Sequence, residues 1–220
     1  MRHSLYALCA PVLLALALCA VSCTQSKLDL INSIVCPVFS YGAENAVPSF
    51  HLCAYVRTST EPGYLKLLQL ESESTGCKWT VSDFQYVYSS NGKWAGSSSL
   101  SVPRRLPLPN GMVKLTAVNA DSQTIERTHN LSYPKNLLTL DYKGFLSSED
   151  YQKLSQQYIV FYDADGVLLG CALQRDVADA DEYAKGMQNA AAARTLWFAK
   201  DKSFAVLSPP RALAEKAQKK

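Results

Sequence analysis

Seven cysteines and three histidines are the residues of this 220-residue chain best suited to chemistry, because thiolates and imidazoles serve as nucleophiles and as ligands for soft metals. Their spacing argues against most such uses. Cys9, Cys19 and Cys23 stand near the start, while Cys36, Cys53, Cys77 and Cys171 are spread through the remainder. None of the latter is two residues from another, as a redox motif or zinc knuckle requires. His51 and His129 read as strand residues at a sheet surface, and no metal-ligand pattern surrounds them. Asp163-Ala164-Asp165-Gly166 echoes a calcium loop, but placing Asp163 and Asp165 third and fifth puts Phe161 first and Ala172 twelfth, so two obligatory ligands are missing. A hairpin turn explains the same residues. Gly92-Lys93 lacks the earlier glycine of a phosphate loop, and no Gly-x-Ser-x-Gly or His-Glu-x-x-His is present. The chain therefore offers no catalytic residue, metal site or cofactor, and reads as non-enzymatic. The rival reading is an exported hydrolase whose site is assembled from distant residues.

Aromatic side chains are the remaining candidates for recognition. Tyr86, Tyr88 and Trp94 cluster around one expected hairpin, and an exposed patch of this type suits a carbohydrate or protein partner. Cross-strand packing would use the same residues.

Strands must position these groups. From Ser49 onward Phe50, Leu52, Ala54 and Val56 alternate with His51, Cys53, Tyr55 and Arg57, the period of a half-buried strand. Comparable segments are Tyr64 to Leu70, Lys78 to Tyr88, Met112 to Asn119, Thr124 to Leu131 and Leu137 to Tyr142. Asn91-Gly92 and Asp165-Gly166 provide type I′ hairpin signals. Ser147 to Gln157 predicts a short helix, and Asp179 with Glu182 opens a longer one reaching Ala190–Ala193. Trp197–Ala199 and Phe204–Leu207 predict a terminal hairpin. The fold class is mainly β: an antiparallel β-sandwich with a short helix and a C-terminal helix plus hairpin.

The composition fits a packed domain, with 48% hydrophobic and 19% charged residues. A net charge of +3 gives no nucleic-acid signature. Met1-Arg2-His3 followed by an uncharged stretch from Leu5 to Val21 has the form of a signal peptide, and Pro11 together with the stretch's length argues against a membrane-spanning helix. At its end, Ala20-Val21-Ser22-Cys23 resembles the lipobox of bacterial lipoproteins, in the relaxed form familiar among spirochaetes. Ala20 departs from the leucine commonest at that place. The resemblance implies cleavage before Cys23, diacylglycerol on its sulfur and acylation of its amine. It also implies a cell-envelope location, tied to a membrane by palmitate-type chains, with inner or outer membrane left open. Leu108–Leu115 and Val160–Gly166 resemble short stretches of immunoglobulin-like and prealbumin-like modules, although Leu169 stands where an immunoglobulin framework would place tyrosine before its second cysteine.

The chain then divides into a signal peptide (1–22), an anchor and tether (23–35), a β-sandwich-like domain (36–175), a C-terminal helix and hairpin packing on it (176–208) and a flexible tail (209–220). Export makes the four later cysteines candidates for disulfides, with three connectivities open. Cys36 with Cys53 is favoured, since a loop of that length contributes about 3 kcal/mol, which leaves Cys77 with Cys171. Small buried hydrophobes are the alternative reading. Function reduces to a membrane-anchored binding or envelope-structural protein, with a subunit of an envelope complex as a further alternative.

Overall fold

In strand β2 (Ser49–Thr58) Leu52, Ala54 and Val56 are buried on one side, and the other side, carrying His51, Cys53 and Tyr55, also faces protein. A strand covered on both faces belongs to an inner wall, and the architecture follows from that. The computed structural model describes residues 28–59, 62–89 and 92–214. The signal and lipobox residues lie outside that range.

The protein is mainly β, with two sheets. The larger contains β1 (Leu30–Ser40), β2, β5 (Gln85–Ser89), β6 (Gly92–Ser101), β9 (Ser155–Tyr162), β10 (Leu168–Leu173), β11 (Ala192–Ala199) and β12 (Ala205–Leu207), with a short β13 (Arg211–Ala212) on β11. The order is β10-β9-β11-β12-β1-β2-β6-β5. Its two edges, β5 and β10, approach to within 8 Å between Cα atoms without being joined by a ladder. The sheet is thus curled into a nearly closed barrel, and a ring of about eight strands leaves an interior that side chains or one small ligand can fill.

The smaller sheet is antiparallel: β4 (Lys78–Val81), β3 (Leu65–Ser72), β7 (Gly111–Asn119) and β8 (Thr124–Leu131). It lies against the outer face of the barrel wall. Leu68, Leu70, Trp79, Val113 and Leu115 from this sheet share one core with Val35, Leu52, Ala54, Val56 and Ala95. Two further outer patches are covered by helical segments. Under α1 (Tyr142–Ser147) and α2 (Glu149–Leu154), Phe39, Tyr41, Phe145, Trp197 and Val206 form an aromatic cluster, in which Phe145 meets Trp197 edge to face at 5.6 Å. Asp141 caps α1 by accepting from the Gly144 N–H at 2.7 Å. Around α3 (Ala180–Ala184), Phe161 stacks on Tyr183 at 5.4 Å.

Several expectations are revised. The larger sheet is mixed, because β1 and β12 run parallel, Val38 opposite Ala205 and Ser40 opposite Leu207. It also curls toward closure, which a flat two-sheet sandwich does not. The expected C-terminal hairpin forms, with Leu196–Phe198 of β11 opposite Ala205–Leu207 of β12, but it is built into the barrel wall between β9 and β1 and does not pack on it. Lys78 to Tyr88 is two strands in different sheets, and Leu137 to Tyr142 is a short 3-10 turn leading into α1. The helix expected to reach Ala193 ends at Ala184, leaving room for β11. The tail is tied down as far as Ala214, whose N–H donates to Asp181 at 2.8 Å. Asp163 organises the β9–β10 turn by accepting from Asp165 N and Val167 N, and there only Gly166 takes a positive φ, so the turn is longer than type I′. The β5–β6 ladder closes at Ser89 and Gly92. Asn91 lies outside the described residues.

Gly96 shows how tightly the wall curves. A Cβ there would lie 1.9 Å from the Ala54 carbonyl oxygen, so only glycine lets β6 pass this close to β2.

Candidate functional site: the barrel lumen

Inner-face alternation builds the lumen strand by strand. Ile34 and Val38 enter from β1, His51, Cys53 and Tyr55 from β2, and Val87 and Trp94 from β5 and β6. β9 supplies Tyr158, Val160 and Tyr162, β10 supplies Leu168 and Cys171, and β11 and β12 add Leu196, Phe198, Ala205 and Leu207. These side chains surround a cavity of about 290 Å³. That is the lower edge of the range for small-molecule sites, which are typically apolar with a few placed polar groups. Among the described residues no Asp, Glu, Lys or Arg lines it.

The polar groups inside are largely accounted for. Tyr55 donates to Gln85 Oε1 at 3.0 Å, and the same oxygen accepts from Ser98 N and Ser98 Oγ. Burial pushes the Tyr55 hydroxyl well above its ordinary range. Cys36 and Cys53 are directly opposed across the β1–β2 ladder. The Cys36 thiol donates to the Pro37 carbonyl at 3.3 Å, and burial raises its pKa well above the usual thiol value, so it stays protonated. Cys171 is raised by burial as well.

The two ends of the lumen differ. Toward the start of β2, His51 is held neutral, its pKa lowered to about 4, by burial first and by the nearby Arg194 second. Arg194 is on the inner face of β11, opposite Val160 and in phase with Leu196 and Phe198. It donates through Nε to Ser208 O at 2.6 Å, and through Nη2 to Ser40 Oγ at 2.8 Å and Tyr41 O at 2.9 Å. At the other end the Arg57 guanidinium sits 5.8 Å over the Trp94 ring.

The structure redistributes the sequence-derived candidates. Trp94 faces the lumen, whereas Tyr86 and Tyr88 are on the outer face of β5, 37% and 64% exposed, with Lys93 Nζ 4.6 and 5.4 Å above their rings. The three aromatics thus do not form one patch. His51 was expected at a surface but faces the lumen; His129, on β8, bonds to Ser33 Oγ at 3.0 Å. The four cysteines among the described residues are free thiols. Cys36, Cys53 and Cys171 share the barrel interior, but Cys77 packs in the core between the sheets, so the expected partners Cys77 and Cys171 lie in separate clusters. Among the described residues, no group of three or more His, Cys, Asp or Glu could hold a metal, and no helix is long and apolar enough to cross a membrane. Arg194, Tyr158 and Tyr162 were missed by sequence reading. The only local signal was the alternation in β9 and β11, which does not say which face is the inner one.

No family model, no curated protein and no solved structure matches the chain.

Proposed function

We propose that this chain is an exported, lipid-anchored, non-enzymatic binding protein whose barrel lumen takes up one small apolar molecule. The lumen lining carries the reading: hydrocarbon and aromatic walls around about 290 Å³, a few satisfied polar groups and, among the described residues, no charged side chain along those walls, with Arg194 beyond one end on the inner face of β11. An interior of that kind favours apolar ligands by removing their surface from water. Export and anchoring rest on the likeness of Ala20-Val21-Ser22-Cys23 to a lipobox. At least two acyl chains would keep the body on the membrane, next to a supply of apolar molecules. The stacking of the four-stranded sheet on β1, β2 and β6 supports a sandwich-like description of that half of the fold.

Two measurements test the parts separately. The full-length chain carrying Cys23→Ser is titrated with the neutral apolar fluorophore 1-N-phenylnaphthylamine. One saturable site per chain, with quenching of tryptophan emission from Trp94, is expected; a signal that grows without saturating refutes the lumen reading. Labelled palmitate incorporated by the wild-type chain and lost in Cys23→Ala is expected, and label retained in that variant refutes the anchor.

A further inference from the structure

We infer that the molecule taken up is an amphiphile with an anionic head, a straight-chain carboxylic acid, seated with its carboxylate at the Arg194 end. This deepens the apolar-lumen reading and rests on it. From His51 to Tyr55 the lumen follows β2 for about 13 Å at the strand rise, a distance spanned by an unbranched chain of roughly ten carbons. The two ends of that path are chemically different. Around Tyr55 the hydrogen-bonding groups are occupied by one another, since Gln85 Oε1 takes donors from Tyr55 and Ser98. The cation at this end, Arg57, already lies over the Trp94 ring at 5.8 Å.

At the opposite end, Arg194 carries a positive charge on the inner face of its strand with no carboxylate against it. The ion pairs among the described residues all lie elsewhere. Its acceptors are neutral carbonyls and the Ser40 hydroxyl, which satisfy Nε and Nη2 without balancing the charge. Burial works against the cation and lowers the Arg194 pKa, as expected for a charge withdrawn from water without a counter-ion. His51 and Tyr162, which line the lumen, both feel the Arg194 charge. An anion arriving there gains a charge-assisted hydrogen bond and compensates the guanidinium. A cationic head would be repelled.

The test compares heads on one tail. In the full-length Cys23→Ser chain, bromine-substituted decanoate is bound and read by quenching of Trp94, then displaced by decanoate, decanol, methyl decanoate or decylamine at neutral pH. Decanoate should displace it at about tenfold lower concentration than decanol or methyl decanoate, with decylamine weakest. Arg194→Lys should keep part of that preference and Arg194→Gln should lose it. Arg194 also ties β11 to the ends of β1 and β12, so the wild-type head-group series decides the matter if Arg194→Gln does not fold. Equal displacement by decanoate and decanol overturns the carboxylate assignment and leaves the apolar lumen standing. Saturable binding of phenylnaphthylamine together with no effect of any decyl compound also overturns it. Absence of binding by all of them, phenylnaphthylamine included, removes the lumen reading itself.

Discussion

Replacing Ala205 by leucine asks directly whether the barrel interior is open space. Ala205 is 3% exposed, sits on the inner face of β12 beside Val38 and Phe198, and contributes only a methyl group to the lumen wall. Leucine adds three carbons. Burying them at about 0.8 kcal/mol each gives an upper gain of about 2.4 kcal/mol. Forcing them into a filled core would instead cost about 1–3 kcal/mol. With about 290 Å³ available, the gain should win, and the net stabilisation expected is about 1–2 kcal/mol, typical of cavity filling. In urea the midpoint should rise with an unchanged slope, while saturable phenylnaphthylamine binding weakens at least tenfold. The two readouts must move in opposite directions. A chain that is destabilised yet binds the probe as before would show that the lumen is already packed and that the ligand sits elsewhere.

Three further outcomes follow from the same geometry. His51 is neutral in the fold, with its pKa near 4 against an ordinary 6.5, so the unfolded chain takes up a proton first as the solution is acidified. Stability should be complete above pH 6.5 and decline toward pH 4 by up to about 3 kcal/mol; urea midpoints for His51→Leu should be flatter over that window, and an unchanged profile would reject the assignment. Directly opposed antiparallel residues have Cα atoms about 4.5–5.5 Å apart, which suits a disulfide. Oxidised glutathione acting on the folded protein should therefore yield a Cys36–Cys53 bond by thiol–disulfide exchange, leaving Cys77 out of it, and peptide mapping that finds Cys77 joined to Cys171 would contradict the packing. Gly96→Ala places a methyl group against the Ala54 carbonyl, so β6 must separate from β2 and a loss of about 3 kcal/mol or more is expected on thermal unfolding; a variant as stable as wild type would disprove the close approach.

How much of this was legible beforehand varies by residue. Periodicity placed β2 and β7 within a residue or so, because each has one strongly apolar face packed in the core, and it placed β8 as well, although only Ile125 and Leu131 of that strand pack there. The same logic failed at Leu137–Tyr142, where apolar residues at mixed spacing serve a 3-10 turn and a helix over the aromatic cluster. It failed again past Ala184, where turns follow the helix and where the alanines from Ala192 on carry helix propensity but pair with β9 as strand β11.

By itself the chain determined that strands dominate, which residues share a strand face, and the likeness of its first residues to an export and acylation signal, since these depend on local periodicity and on a few contiguous residues. Only the tertiary structure decided that the second face of β2 points into a lumen, that Trp94 parts company with Tyr86 and Tyr88, and that Cys53 lies with Cys171 and not with Cys77. Those facts depend on the curvature of the sheet and on which strands become neighbours. Curvature arises from long-range pairings such as the parallel match of β1 with β12, residues more than 160 positions apart, and no local pattern records a pairing of that span.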